Sequence, residues 1–497
     1  NIMLKKLLIL IIALSFSEYI LPQVSNQIQK YRDDAKGDIQ NRREGTMDGN
    51  QVRTLFYNNG EVGQWPYQPS GEWPKGTGQS YLDGVAVLIA TEITAPGNNQ
   101  VVHPLQTSYR EHMDKDPSTG LIWGLEPLPG YTNPQSEKPA INTDPTSWPE
   151  FWPTALDLTS EWNGFWYGYF GRGVNNSDFE TFFVMDDSKD KEWSRVPFNF
   201  NPLSSDLDRG GLALRVEVRG FQWSQVLAED IIFWHYDIVN LADFNYPTTI
   251  FGFYTDCGVG GTDDSEDDNA SFDILLDLTY CYDDDGLGVP GNWQTGYYGY
   301  AYLESPGNAT NGINDDQDTD IYGVPMIDER RDDNIDNDGD WIGYTDLNGN
   351  GEWDPEENEP LNNDVGKDGV GPFDRQYNGP DEGEGDGVPT DGEPNFDKTD
   401  KDESDQIGLT SVAIYRLGQA GTGGGWPKDD ESMWLKMSYA NFDTSLQRAN
   451  ISMVFASGPF PLNQGLRERF SMALVFGENL EDITFNKETV QLIYNAN

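Results

Sequence analysis

The chain has 497 residues, 84 of them acidic and 32 basic, for a formal net charge of −52. A field of this sign repels nucleic-acid phosphates and anionic lipid and attracts cations, which disfavours nucleic-acid binding. Aromatic residues reach 13% (15 Trp, 24 Tyr, 24 Phe), too many for a disordered chain, and the length admits about two to four domains.

Residues 1–17 carry Lys5 and Lys6, an apolar run from Leu7 to Leu14, then Ser15 and Ser17, the layout of a secretory signal peptide. The run is shorter than the roughly 20 residues that span a bilayer, and no second one follows, so no membrane-spanning segment is expected. Residues 18–50 read as a polar leader. Residues 51–310 read as a β-rich sandwich domain, with strand candidates at Val85–Ile93 and Leu121–Leu128. Trp65-Pro66, Trp73-Pro74, Trp148-Pro149 and Trp152-Pro153 read as loop plugs over the core edge, because proline is excluded from sheet interiors; the alternative is an aromatic ligand platform.

Strand signals then strengthen. Leu212, Leu214, Val216 and Val218 alternate with Ala213, Arg215, Glu217 and Arg219, the period of a half-buried strand. Asp230–Leu241 is apolar on both faces and suits a central strand. Cys257 and Cys281 are the two cysteines, and in an exported chain they are expected to pair. Residues 406–478 hold four further strand candidates (IGLTSVAIYRL, SMWLKMSYANF, ISMVFASG and RFSMALVFG), expected to complete the same sandwich. Residues 479–497 place Leu480, Ile483, Val490 and Tyr494 near helical spacing behind Asn479 as N-cap. The expected fold is mainly β: an antiparallel β-sandwich with long loops, an Asp-rich calcium-loop insertion and a C-terminal helix.

That insertion is residues 311–405, with 31 acidic and 6 basic side chains. DLNGNGEWDPEE, Asp346 to Glu357, matches the calcium-loop pattern D-x-[DN]-x-[DN]-G-x5-E at every fixed position. Calcium is a hard ion taking six to eight oxygens, here from Asp346, Asn348, Asn350, the Glu352 carbonyl, Asp354 and Glu357, with Gly351 at the sharp turn. Pro355 and Pro360 and the absence of helical periodicity upstream describe such a loop without its flanking helices, so structural rather than sensory calcium is expected. NIDNDGD supplies a second set: Asn334, Asp336, Asp338 and Asp340 around Gly339. Weaker candidates are Asp316-x-Asp318-x-Asp320, Asp364 with Asp368, and the Asp381–Asp391 run. Outside the stretch, Asp263, Asp264, Asp267, Asp268 and Asp283 to Asp285 bracket the cysteines and could share an ion.

Catalytic motifs are missing. His103, His112 and His235 lie in no H-E-x-x-H, and there is no G-x-S-x-G. His235, between Trp234 and Tyr236, reads as a satisfied sheet residue rather than a base.

The DLNGNGEWDPEE loop is EF-hand-like, and NIDNDGD resembles the calcium repeats of thrombospondin type 3 modules without that family's cysteines. RTLFYNNGEVGQWP, NGFWYGYFG, LRVEVRGFQW, IIFWHYDIVN and RFSMALVFGENLEDI together resemble large secreted surface proteins of Bacteroidetes-type bacteria, of the type IX secretion class. That family carries no established activity. The expectation is a secreted, calcium-stabilised, non-catalytic protein of the cell surface or extracellular space, for adhesion, display or assembly. Its partners would be calcium ions and glycans or other surface proteins. The alternatives are a carbohydrate-binding or carbohydrate-active protein and a self-assembling surface-layer subunit.

Overall fold

A computed structural model describes residues 36–108, 114–153 and 164–495, except 310, 321, 332, 374–376, 378, 401–402, 419–426 and 428. The segment read as a signal peptide, most of the segment read as a polar leader and His112 lie outside the described residues. The leader does not extend to residue 50 as expected. Strand Glu44–Met47 pairs with Thr54–Tyr57, Met47 is fully buried, and Asn50 Nδ2 donates to the Ala228 and Ile231 carbonyls at 3.1 and 2.7 Å. One apolar anchor and a buried amide suffice to dock a polar segment.

The fold is mainly β. Among the described residues one antiparallel sheet has nine strands, in the order 445–449, 268–273, 278–283, 297–304, 467–477, 231–240, 214–222, 179–186 and 126–127. A second has five, in the order 411–416, 451–462, 246–257, 82–91 and 105–106. Strands from before and after the acidic stretch enter both sheets. The sheets face each other across an aromatic core in which Phe251 stacks 4.4 Å from Phe470 and Phe253 lies 5.2 Å from Tyr236.

Both outer faces are covered too, which is why central strands read as apolar throughout. On strand Ile231–Asn240, Trp234, Tyr236 and Ile238 point into the inter-sheet core, while Ile231 and Phe233 meet Ile483 and Val490 of the helix Leu480–Asn495. Asn479 caps that helix as expected, its Oδ1 accepting from the Glu481 and Asp482 amides at 3.0 and 3.2 Å. The five-stranded sheet is covered by helix Asp430–Met437, whose Met433, Trp434 and Met437 pack on Ala86, Leu88 and Val454. This corrects the SMWLKMSYANF strand. An Asp429–Ser432 capping box starts a helix there, and apolar residues at 433, 434 and 437 follow helical spacing.

Two further expectations change. Leu121–Leu128 contributes just the two-residue strand Glu126–Pro127. Strand Leu214–Gln222 is buried on both faces rather than half-buried, because Tyr131 and Tyr167 from the preceding segments, packed with Trp152 and Trp166, lie over its arginines, beside Phe182 of the neighbouring strand. Arg215 and Arg219 therefore sit under aromatic rings, Arg219 at 4.1 Å from the Phe182 centroid. The Trp-Pro loops act as plugs: Trp73 and Trp152 are buried, and Trp65 remains partly exposed.

Cys257, ending a strand of the five-stranded sheet, is disulfide-bonded to Cys281 of the nine-stranded sheet, 24 residues on. Replacing both by serine is expected to cost about 3 kcal/mol through the regained entropy of that loop, read as a lower urea midpoint at unchanged m-value.

Candidate metal centres

The acidic stretch connects strand Tyr297–Glu304 of one sheet to Ser411–Arg416 of the other. Its two ends meet at a Gly307–Gln406 bridge, and the Asn308 amide donates to the Asp405 carbonyl at 3.0 Å, so it leaves and re-enters the sandwich at one point. Between these ends the described backbone is bends and short 3₁₀ turns, and carboxylates organise it. Asp364, fully buried, accepts from the amides of Gly385, Asp386, Gly387 and Tyr344 at 2.8–3.3 Å. Glu393 accepts from Gly366, Thr390 and the Trp341 indole at 2.8, 2.8 and 3.1 Å. An anion accepting several N–H groups does for a glycine-rich loop what a ladder does for a strand.

In the predicted calcium loop, Asp346 accepts from the Gly349 and Gly351 amides at 2.5 and 2.8 Å, which holds its carboxyl below the ordinary value. Gly351 has φ of 82°, the left-handed turn that the pattern's glycine supplies. Asn348 Nδ2 donates to Asp354 and Glu357 at 2.9 and 3.2 Å, and Asn350 Nδ2 to Asp354 at 2.6 Å. Four of the six predicted ligands, Asn348, Asn350, Asp354 and Glu357, thus form one connected network bridged by amide N–H groups, and a fifth, Asp346, is bonded to the backbone amides of the same loop. The sixth, Glu352, lies on the same turn, its amide donating to Asn350 Oδ1 at 2.8 Å. Glu359, unanticipated from the pattern, is buried behind the loop and accepts from Leu347, Asn348 and Asp354 at 2.8–3.3 Å.

In the second set, Asp336, Asp338 and Asp340 bring carboxylate oxygens within 4.8 Å of one another. Asn334 precedes them at φ of 60°, its amide donating to Asp397 Oδ1 at 3.0 Å. Of the weaker candidates, Asp316 and Asp318 lie against Glu329, which is 2% exposed with neither carboxylate oxygen on a hydrogen-bond donor; burial and then Asp318 push its pKa up to about 9. Asp320 turns away to accept from the Tyr322 and Val324 amides. Asp364 is consumed as the backbone acceptor described above, and Asp381 accepts the Asp368 amide at 2.9 Å.

Two more clusters with oxygens within 4.8 Å lie on the sandwich itself: Asp264, Asp267 and Asp283, and Asp114, Glu192 and Asp430. The latter joins three segments remote in sequence, and no motif announces it. Burial, then Asp190 and Glu192, raise Asp114 to about 9, and burial, then Asp190, raise Glu192 to about 7.

Near His235 the histidine Nδ1 meets Ser471 Oγ at 2.9 Å, but its Nε2 stands 3.8 Å from Asp237, beyond hydrogen-bonding range. Ser471 is 1% exposed and hydrogen-bonded by Tyr494, so this row is packed inside the sheet rather than presented to a substrate. A cavity of about 40 Å³ opens above it, lined by Tyr169, Phe221, Trp223 and Phe233. Among the described residues no helix is long and apolar enough to cross a membrane.

The chain matches no family model, and no curated protein is significantly similar to it.

Proposed function

We propose that this chain is a secreted, calcium-stabilised, non-catalytic surface or extracellular protein serving adhesion, display or assembly. The observation that carries the reading is the burial of carboxylates that lack cationic partners within the acidic stretch. Glu329 is the sharpest case, at 2% exposed and packed against Asp318 and Asp316, with no lysine or arginine ion pair among the described residues. Burying a charge in that condition costs several kcal/mol unless a proton or a cation neutralises it, and an all-oxygen set selects a hard ion such as calcium. In the Asp346–Glu357 loop the Asn348 and Asn350 amides bridge the carboxylates; turned end for end, the same amides present oxygens to a cation.

Chelation tests the reading. One site held at a hundredfold its Kd contributes about 2.7 kcal/mol, and a kilocalorie shifts Tm by about 2–4 °C in domains of 150–250 residues. EDTA is therefore expected to lower Tm by roughly 5 °C or more, and excess calcium to restore it, with proteolytic cleavage appearing first between 311 and 405. An unchanged Tm and cleavage pattern would remove calcium from the reading.

A further inference from the structure

The sandwich holds a second kind of acidic site, outside the insertion. Asp268 begins strand Asp268–Asp273 and lies directly opposite Asp283 of strand Leu278–Asp283, so the two side chains share one face of the nine-stranded sheet. Asp268 is 0% exposed, and neither of its carboxylate oxygens has a hydrogen-bond partner; the Val259 amide lies alongside without hydrogen-bond geometry. Its charged neighbours are Asp83, Asp283 and Asp267, in that order of influence. Asp283 in turn comes within 4.8 Å of Asp264 and Asp267, and Asp264 Oδ2 is likewise unmet.

Among the described residues no lysine or arginine makes an ion pair with Asp264, Asp267, Asp268 or Asp283. Arg448, at the rim, pairs with Asp284 at 3.0 Å and from there acts on Asp267 alone of the four. The backbone is shaped to the cluster: a Cβ at Gly258 or Gly260 would collide with the carboxylates of Asp83 or Asp264. Asp83 belongs to strand Leu82–Thr91 of the opposite sheet, so the cluster lies across the inter-sheet gap, as the Cys257–Cys281 bond does.

A fully buried carboxylate with no donor, facing three others, is a strongly unfavourable arrangement that one cation relieves at every group together. We propose that Asp264, Asp267, Asp268 and Asp283 bind one divalent cation, calcium by the hardness of an all-oxygen set, and that this ion pins the loop following Cys257 to the edge region of the nine-stranded sheet beside the disulfide. The proposal rests on the cation-stabilised reading for the identity of the ion but uses no residue of the acidic stretch.

The experiment compares the full chain with Asp268→Asn and with the loop variant Asp346→Asn/Glu357→Gln, each melted in EDTA and in calcium and each titrated with terbium. The Trp65 indole donates to the Thr262 carbonyl at 3.1 Å, two residues before Asp264, so terbium in the cluster is read as the part of the emission lost when Trp65 is replaced by Phe. The loop variant is expected to keep the Trp65-sensitised signal. Asp268→Asn should lose it, with terbium and calcium affinity falling on the order of tenfold or more. The same variant should melt higher than the parent in EDTA, because the unmet buried charge is gone. Should Asp268→Asn fail to fold, Asp267→Asn, at a half-buried ligand, must show the same loss of signal and affinity. Retention of the sensitised signal and of the full calcium-dependent Tm shift by the aspartate variants would overturn this site while leaving the acidic-stretch reading intact. No calcium response in the parent chain would overturn both.

Discussion

Glu180→Ala is expected to lower the unfolding free energy by about 3–5 kcal/mol, the usual result of removing one member of a buried ion pair. Glu180 is 1% exposed and receives Arg219 Nη1 at 2.5 Å, the Trp166 indole at 2.7 Å and the Tyr169 amide at 3.1 Å. Burial lifts its pKa, and Arg219, Trp166 and Tyr169 pull it back. The guanidinium of Arg219 stays charged at any accessible pH, so deleting the carboxylate strands a cation beneath Phe182 and leaves the indole N–H without its acceptor. Urea denaturation measures the loss. The double variant Glu180→Leu/Arg219→Met is expected to recover most of it, because replacing both charges by apolar groups removes the stranded partner. A single-variant loss below 1 kcal/mol would show that the outer aromatic layer, not this pair, holds the strand.

The second large effect is acid lability centred on His235. The ring is buried, and its pKa is pushed down to about 3, first by burial and then by Arg469, with Arg331 acting in the same sense. Asp237 and Glu304 act in the opposite sense, while Tyr169 packs on the ring and Ser471 meets its Nδ1. The fold therefore holds the neutral imidazole, whereas the unfolded chain protonates it near 6.5. Stability is full above pH 6.5 and falls as pH drops toward 3, by about 3 kcal/mol at pH 4 from this one group. Asp237 and Glu304 add to the loss below pH 4. In each, burial raises the pKa but nearby arginines lower it further, Arg469 foremost for Asp237 and Arg331 foremost for Glu304, so their stabilisation too disappears on protonation. His235→Gln, which keeps a hydrogen-bonding group near Ser471, is expected to flatten the curve between pH 6.5 and 4. Chemical denaturation at several pH values reads it, and an unchanged slope would place the lability elsewhere.

The order of the sandwich was legible where local pattern and tertiary demand agree. The apolar run RFSMALVFG marked strand Arg467–Gly477, uniform apolarity marked Ile231–Asn240, and Asn479 marked the start of the last helix. It failed where covering layers intervene. Nothing local to Leu214–Gln222 announces that its arginines will be buried under rings contributed by residues 131 to 182. The helix at 430–437 was readable from Asp429 and Ser432, but its methionines and tryptophan also fit a strand.

The candidate sites divide in the same way. In the Asp346–Glu357 loop the organising bonds run from a side chain to an amide two to five residues on, or between side chains at most nine apart, so spacing alone determined which residues meet. For Glu359, Asp364 and Glu393 the sequence offered acid in abundance but no sign of which carboxylates turn inward to take the loop amides. Asp268 and Asp83 are brought together by the packing of one sheet on the other, and Asp114, Glu192 and Asp430 by two loops meeting the start of the helix Asp430–Met437. The sequence by itself therefore determined that this chain is β-rich, strongly acidic and equipped with a compact Asp/Asn/Glu loop, because those properties reside in composition and short-range geometry. The tertiary structure alone decided which carboxylates lose water and lie close together, because desolvation depends on what the rest of the chain packs over them.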